Sequence, residues 1–392
     1  MVLVLIASSV LSVQTISFAR GDSPFTVLSV SGGLWTNMSP TTRPSGGGAM
    51  AYDSKADRVI FFGGGAEGLG NETWSYDFNV NTWTKLSPST SPAARSEHSM
   101  AYDSKADRVI IFGGTKDFQR DNDETWAYDP NANTWTKMSP IAGPSALHST
   151  GMAYDTRAGR VLMFGGLNER GTGSNETWAY EFGTNAWVNM RPSVSPPETA
   201  APIVYDSQSD RVIYFGAKSG ELVPWTGTTW AYDFNSNTWT NMSPSSSPSP
   251  RWGQPMAYDS KADRVIIFGG IAQGFDNRET WGYSLSSNAW TNMSPTIYPS
   301  AVFGASMAYD SQSDRVIFFG GAYNVPRPPF HIFIEETWAY DFGARAGPTA
   351  SPPWVVYATM AGAGVAVAAV VSVLLWRRRG RARTPPPPPG SP

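Results

Sequence analysis

One segment of about fifteen residues recurs six times along this chain, and its spacing constrains the fold more than any other feature. The second copy reads MAYDSKADRVIIFGG, and all six copies share its Tyr-Asp and Arg-Val pairs. The tyrosines of these pairs set a period of about 50 residues, at Tyr52, Tyr102, Tyr154, Tyr205, Tyr258 and Tyr309. Periods of this length are typical of repeat arrays and of propellers in which each repeat forms one blade.

The content of one period predicts four short strands and no helix. In the second copy, residues 99–103 form the first strand, and residues 108–112 form an apolar run that stops at a diglycine. Such a run is typical of a strand covered on both faces. Residues 124–129 form a third strand, and residues 134–138 form a fourth that ends at a proline. Four antiparallel strands per period correspond to one propeller blade.

The apolar strand that ends in a diglycine, followed by a tyrosine and a tryptophan at fixed spacing, resembles the kelch repeat. The tyrosine–tryptophan pairs are Tyr76/Trp83, Tyr128/Trp135, Tyr180/Trp187, Tyr232/Trp239 and Tyr283/Trp290. The fourth copy departs from the pattern because Gly216-Ala217 replaces its diglycine. The resemblance covers residues 33–341 and implies an all-β propeller in which these residues serve packing.

The sixth copy lacks its fourth strand, and the start of the chain supplies a matching segment. Trp338 and Tyr340 are present, but Gly347 occupies the position of the second tryptophan. Residues 34–40 instead match residues 290–295, including the Trp-Thr-Asn-Met-Ser-Pro run. We therefore expect the N-terminal strand to complete the last blade, closing a six-bladed propeller without an exposed edge.

The sequence outside the repeats predicts export and membrane attachment. Residues 1–19 are uncharged and end in a small-x-small motif, which is typical of a signal peptide, with an uncleaved anchor as the alternative. Residues 354–376 contain 21 consecutive uncharged residues between two tryptophans, enough for one transmembrane helix. Residues 342–353 form a Pro/Gly/Ala-rich stalk, and residues 377–392 form a basic, proline-rich tail that the positive-inside rule assigns to the cytoplasm.

Charge and cysteine content exclude several classes of partner and site. Five of the 29 basic residues and none of the 32 acidic residues follow Trp376, so residues 1–376 carry a net charge of −8. An acidic propeller repels polyphosphate, so we expect no nucleic-acid partner. Because the chain has no cysteine, disulfides and thiolate metal sites are excluded. No motif indicates a cofactor or a metal.

Two further patterns predict modification and self-association. Five asparagines begin Asn-x-Ser/Thr sequons and are candidate glycosylation sites: Asn37, Asn71, Asn175, Asn241 and Asn292. Within the predicted membrane helix, Ala358, Gly362 and Ala366 share one face at a spacing of four residues, which permits a weak homodimer.

The loops divide into a uniform set and a variable set, and the variable set is the candidate binding face. In a four-stranded antiparallel blade, the second–third and fourth–first loops lie on one face. These loops vary in length and content, which marks a surface free to specialise. The second–third loops are expected at about 65–71, 115–123, 167–175, 217–228, 271–278 and 322–335. Candidate ligand-binding residues on this face are Trp225, Trp252, Phe330, His331, Arg327, Tyr298, Arg95 and His148.

We therefore expect a single-pass cell-membrane protein with an extracellular propeller and a cytoplasmic tail. The favoured function is non-enzymatic adhesion or recognition of a surface protein or glycan. The sequence shows no catalytic constellation, but a carbohydrate-acting enzyme stays open because acid–base chemistry needs only one or two groups. A structural envelope protein without a specific ligand is the other alternative.

Overall fold

The chain forms a ring of small antiparallel sheets, as the repeats predict. The computed structural model describes residues 33–64, 69–117, 120–197, 200, 202–218, 226–300, 303–326 and 331–343. Over these residues there are six sheets with four main strands each, and the innermost strands of neighbouring sheets contact one another in a closed circle. The fold is therefore a six-bladed β-propeller.

The strands follow one another from the centre of each blade outward. The first strand of the chain, β1 (Leu34–Asn37), belongs to the last blade. Blade 1 contains β2 (Gly48–Asp53), β3 (Arg58–Gly63), β4 (Glu72–Asp77) and β5 (Thr82–Leu86). Blade 2 contains β6 (Ser99–Asp103), β7 (Arg108–Phe112), β8 (Thr125–Asp129) and β9 (Thr134–Lys137). Blade 3 contains β10 (Gly151–Asp155), β11 (Arg160–Phe164), β12 (Thr177–Glu181) and β13 (Ala186–Asn189).

The other three blades carry strand structure where loops are expected. Blade 4 contains β14 (Ile203–Asp206), β15 (Arg211–Lys218), β16 (Thr226–Asp233) and β17 (Thr238–Asn241). Blade 5 contains β18 (Met256–Asp259), β19 (Arg264–Phe268), the short β20 (Ile271–Ala272) and β21 (Phe275–Asp276), then β22 (Thr280–Ser284) and β23 (Ala289–Asn292). Blade 6 contains β24 (Phe303–Asp310), β25 (Arg315–Asn324), β26 (His331–Phe333) and β27 (Thr337–Asp341), completed by β1.

The prediction that residues 217–228, 271–278 and 322–335 are loops is therefore partly wrong. In blades 4 and 6 the second strand continues past the glycine position, because the following residues pair with another strand instead of turning away. In blade 5, β20 and β21 form a separate two-stranded hairpin.

The N-terminal strand closes the ring, as the missing tryptophan of the sixth copy predicts. β1 pairs antiparallel with β27, in a register that places Leu34 opposite Asp341 and Asn37 opposite Trp338. Trp35 is 1% exposed and lies against the rings of Phe268, Phe318 and Tyr340. Residues from the two ends of the described chain thus share one sheet.

One tryptophan on the outermost strand of each blade fastens it to the preceding blade. Each indole Nε1 donates to a threonine Oγ1 at 2.9 or 3.0 Å, in the pairs Trp83–Thr337, Trp135–Thr73, Trp187–Thr125, Trp239–Thr177, Trp290–Thr229 and Trp35–Thr280. Each indole also packs on the tyrosine of its own third strand, with ring centroids 4.9 to 5.0 Å apart. The spacing of tyrosine and tryptophan in the sequence therefore encodes both packing within a blade and hydrogen bonding between blades.

The uniform turns repeat one hydrogen-bond pattern, and blade 3 departs from it. In the other five blades, the innermost-strand tyrosine donates to an aspartate five residues later, as Tyr102 does to Asp107 at 2.7 Å. These aspartates have positive φ, and three of them also face a cation from the preceding blade, as Asp210 faces Arg157. Blade 3 has Gly159 at this position, with φ +67, and a Cβ added there would lie 3.6 Å from Lys105 Nζ.

Replacing Gly159 by aspartate is expected to stabilise the protein by about 0.5–1 kcal/mol, since it restores the tyrosine hydrogen bond and the Lys105 partner. Chemical denaturation of the full chain measures the change. Gly159→Ala is the matched control: it introduces a Cβ at the same positive φ without a carboxylate, and should destabilise instead. Equal effects of the two variants would contradict the prediction.

Several sequence predictions fall outside the described residues. The signal peptide (1–19), the transmembrane helix (354–376) with its dimer residues, the tail (377–392) and all but two residues of the stalk (342–353) are in this group. Within the described ranges, no helical segment combines the length and hydrophobicity that crossing a membrane requires.

Candidate functional site

The propeller has two unlike ends, which we call the turn face and the loop face. The turn face carries the uniform first–second and third–fourth turns, whereas the loop face carries the remaining connections. β1 begins and β27 ends at the turn face, because Leu34 lies opposite Asp341. The candidate binding residues that the structure describes belong to the loop face.

Exposed apolar side chains concentrate on one part of the loop face. Of the eleven large hydrophobic side chains that are exposed within the described residues, six lie in the loop-face connections of blades 5 and 6, including the short strands β21 and β26: Trp252, Phe275, Ile297, Tyr298, Ile332 and Phe333. Solvent-exposed apolar clusters on a folded protein mark interaction sites. This distribution singles out blades 5 and 6.

Ring contacts join Trp252, a member of this set, to two further aromatic side chains, Phe303 and His331. Phe303 packs against Trp252, with ring centroids 5.9 Å apart, and against the imidazole of His331 at 5.5 Å. His331 Nδ1 lies 3.0 Å from Asn324 Oδ1, and Asn324 Nδ2 donates to Asp276 Oδ1 at 2.8 Å. We call these three rings, Trp252, Phe303 and His331, together with the exposed Phe275 of the blade 5 hairpin and Ile332 and Phe333 of β26, the apolar loop surface.

Local backbone rules explain why Phe275 projects from this surface. Gln273 and Gly274 both have positive φ and join β20 to β21, which is the geometry of a two-residue type I′ hairpin turn. Phe275 follows the turn directly and is 78% exposed. Phe275 is not among the residues predicted from the sequence, although the Gln-Gly dipeptide between Ile271-Ala272 and Phe275 is a signal for a hairpin.

The sequence-predicted residues do not form one site. Trp252, His331 and Tyr298 lie on blades 5 and 6, where the guanidinium of Arg278 stacks 5.7 Å from the Tyr298 ring centre. His148 lies at the junction of blades 2 and 3, half a turn away around the ring. Trp225, Arg327 and Phe330 lie outside the described residues.

Arg95 is fully buried, so the expectation that it contacts a ligand does not fit its position. Its guanidinium donates to Gly113 O, Asn122 Oδ1 and Glu124 Oε2 at 3.1, 3.0 and 2.5 Å. Although burial opposes ionisation of Glu124, hydrogen bonds from Lys137 and Arg95 hold its pKa well below the usual range. Arg251 makes the equivalent contacts to Gly269, Asn277 and Glu279. Both arginines thus clamp a loop to the next blade.

His148 is held between two carboxylates. Its Nδ1 lies 2.9 Å from Asp121 Oδ1, and its Nε2 lies 3.8 Å from Glu97 Oε2. No group of three or more His, Asp and Glu side chains in the described part of the chain has an arrangement suited to a metal ion. The five sequon asparagines are all exposed, which leaves them accessible to modification.

Comparison with known proteins finds similarity to kelch-repeat proteins. The KLHDC2/KLHL20/DRC7 Kelch-repeats domain matches residues 19–201 and 140–321. Kelch domain-containing protein 3 of Homo sapiens is 26% identical over 260 residues, which is 61% of this chain and 67% of that protein.

Two other relatives are much longer than their matched regions. The flagellar outer-arm dynein alpha chain of Chlamydomonas reinhardtii is 26% identical over 177 residues, and this chain covers 4% of its length. An F-box/kelch-repeat protein of Arabidopsis thaliana is 26% identical over 168 residues, and the chain covers 34% of it. The similarity therefore concerns the repeats rather than these whole proteins.

Proposed function

Because the chain belongs to the kelch-repeat family, whose propellers are protein-binding or recognition modules, we propose that it binds a partner protein through the apolar loop surface. The observation that carries this proposal is the clustering of exposed aromatic side chains on blades 5 and 6. Aromatic anchors of this kind contribute most of the binding energy in protein interfaces. The proposed role is non-enzymatic.

The rigid support beneath the apolar loop surface favours binding over a purely structural role. Phe303 and His331 lie on β24 and β26, and both strands pair with β25. The hydrogen bonds from Asn324 to Asp276 tie the blade 5 hairpin to this sheet. A preorganised aromatic surface loses little conformational entropy when it binds a partner.

We further propose that the propeller acts at a cell surface, held by the segment 354–376. The supporting observations are the uncharged length of that segment and the arginines that follow it. Within the ring, β1 begins and β27 ends at the turn face, not at the loop face. Glycosylation at the five exposed sequons belongs to the same proposal.

The double variant Trp252→Ala with Phe275→Ala is expected to weaken partner binding by about tenfold or more, as for loss of hot-spot aromatics. Full-length wild-type and variant proteins are incubated with surface proteins and glycans of the source cell. A protein captured by the wild type is then purified, and its Kd is measured against both.

The matched control is Val80→Ala with Ile141→Ala, which removes two exposed apolar side chains elsewhere on the ring. This control should bind like the wild type, and all three proteins should have the same melting temperature. Equal weakening by both double variants would reject the apolar loop surface as the site. Binding to glycans alone would replace the protein partner by a carbohydrate, and no binding at all would favour a structural protein.

A further inference from the structure

A second feature of the loop face is a half-open cluster of carboxylates around His148, at blades 1 to 3. Asp121 belongs to the loop of blade 2, Glu97 to the connection between blades 1 and 2, and Glu169 to the loop of blade 3. Glu97 is about half exposed, whereas the Asp121 side chain is only 4% exposed. We call Glu97, Asp121, His148 and Glu169 the acidic pocket, with Asp121 as its floor.

The charge of the acidic pocket is not neutralised by the protein. Elsewhere on the loop face, Glu124 pairs with Arg95, Lys116 and Lys137, and Glu279 pairs with Arg251. Among the described residues, no lysine or arginine forms an ion pair with Glu97, Asp121 or Glu169, and His148 is the basic group beside Glu97 and Asp121. The pocket thus has a surplus of negative charge.

The floor of the pocket carries an unsatisfied acceptor. Asp121 Oδ1 faces His148, but the buried Oδ2 has no hydrogen-bond partner among the described residues. Burial raises the pKa of Asp121, and the Glu169 and Glu97 carboxylates raise it further, against the opposing effect of His148. A buried carboxylate oxygen without a partner is costly, so a bound cation would stabilise this arrangement.

The backbone of Glu97 is also unusual for its residue type. Glu97 has φ +55, and Ser149 at the equivalent position before blade 3 has φ +53, whereas the equivalent residues of blades 5 and 6 are glycines, Gly253 and Gly304, with φ +72 and +65. A glutamate in this region is disfavoured relative to glycine. The side chain is therefore kept at a local conformational cost, which is a common property of binding residues.

We propose that the acidic pocket binds an alkylammonium group, presented as a lysine side chain by the partner protein. This deepens the proposed recognition function and rests on it. A lysine ammonium is a compact charge with three donors, which suits carboxylates arriving from three separate loops. A planar guanidinium matches a single bidentate carboxylate instead, and the described residues offer no metal-binding group.

The three histidines of the chain allow a direct test. Full-length protein labelled with ¹⁵N in histidine gives separate imidazole signals for the acidic pocket (His148), the apolar loop surface (His331) and the interior (His98). Titration with Nα-acetyl-lysine methylamide should shift His148 saturably and leave the other two unchanged. The uncharged analogue, Nα-acetyl-norleucine methylamide, should shift none.

Glu97→Gln should raise the apparent Kd of the lysine probe by about tenfold or more, because it removes a charge-assisted hydrogen bond. Glu97→Gly provides a second variant with the residue that blades 5 and 6 use. Glu72→Gln is the control, since Glu72 already pairs with Lys85. The His98 signal reports that each variant is folded.

Three results would overturn the proposal: no shift at His148, an equal shift with the norleucine analogue, or stronger binding of calcium chloride that excludes the lysine probe. The last result would identify a cation site of another kind. Failure here leaves the Trp252 and Phe275 experiment unaffected, because that experiment reports on the opposite side of the ring.

Discussion

Replacing Trp35 by alanine is expected to lower the free energy of unfolding by about 3–5 kcal/mol, as for other buried tryptophans. The change removes the contacts with Phe268, Phe318 and Tyr340 and the hydrogen bond to Thr280 Oγ1. Deleting residues 33–40 should have a larger effect, because β27 then becomes an open edge strand that promotes aggregation. Denaturant titration and light scattering measure the two consequences.

Trp135→Ala is the matched control for this prediction. Trp135 makes the same contacts in blade 2, including its hydrogen bond to Thr73, but its removal leaves the ring closure intact. It should therefore destabilise about as much as Trp35→Ala without increasing association. A synthetic peptide of residues 33–40 should raise the melting temperature of the deletion variant, because it binds the folded ring. An unchanged melting temperature on deletion would contradict closure by β1.

Acidification is expected to destabilise the protein through His98, by about 2.5 kcal/mol between about pH 7.5 and about pH 4.5. Burial, together with the nearby Arg95 charge, lowers the pKa of His98 from 6.5 to about 3. The unfolded chain binds this proton below about pH 6.5, whereas the folded chain does not until about pH 3. Between these values the unfolded state holds more protons, so the unfolding free energy falls as the pH falls.

His98→Gln should remove this component and still fold. The equivalent position before blade 5 is Gln254, whose Nε2 donates to the carbonyl of Phe215 at 2.9 Å. Phe62 occupies the corresponding position beside His98. The measurement compares urea unfolding of wild type and variant at the two pH values, with the exposed His331→Gln as control. Equal pH dependence of wild type and His98→Gln would refute the assignment.

The regular part of this fold was predictable because each repeat has the same residues at the same spacing and therefore makes the same contacts. The tyrosine–tryptophan spacing indicated packing within blades, and the Trp-Thr-Asn-Met-Ser-Pro match indicated that β1 completes blade 6. The threonine that precedes the tryptophan of each third strand was visible in the repeats, but its hydrogen bond to the next blade's tryptophan was not. That contact depends on how neighbouring sheets twist against each other.

The binding face was harder to predict because its loops do not repeat. Arg95 and His148 looked alike in sequence, as basic residues in equivalent connections. Arg95 is enclosed because it donates to the Asn122 and Glu124 side chains, whereas Leu147 takes the equivalent place before blade 3 and His148, one position later, stays partly exposed. Such differences depend on which side chains of the following blade contact the connecting loop, and these contacts cannot be read from a single sequence.

Because β1 and β27 pair with each other, the first and last strands of the propeller are adjacent, and the propeller is suited to circular permutation. Leu34 and Asp341 face each other across one pair of strands, so a linker of a few residues would join the ends without distortion. New ends opened in any turn of the turn face would then give circular permutants with the same ring. In each permutant, a different blade would combine strands from the two ends of the chain, while the apolar loop surface and the acidic pocket would stay in place. The blade that closes the ring can therefore change without altering either binding surface.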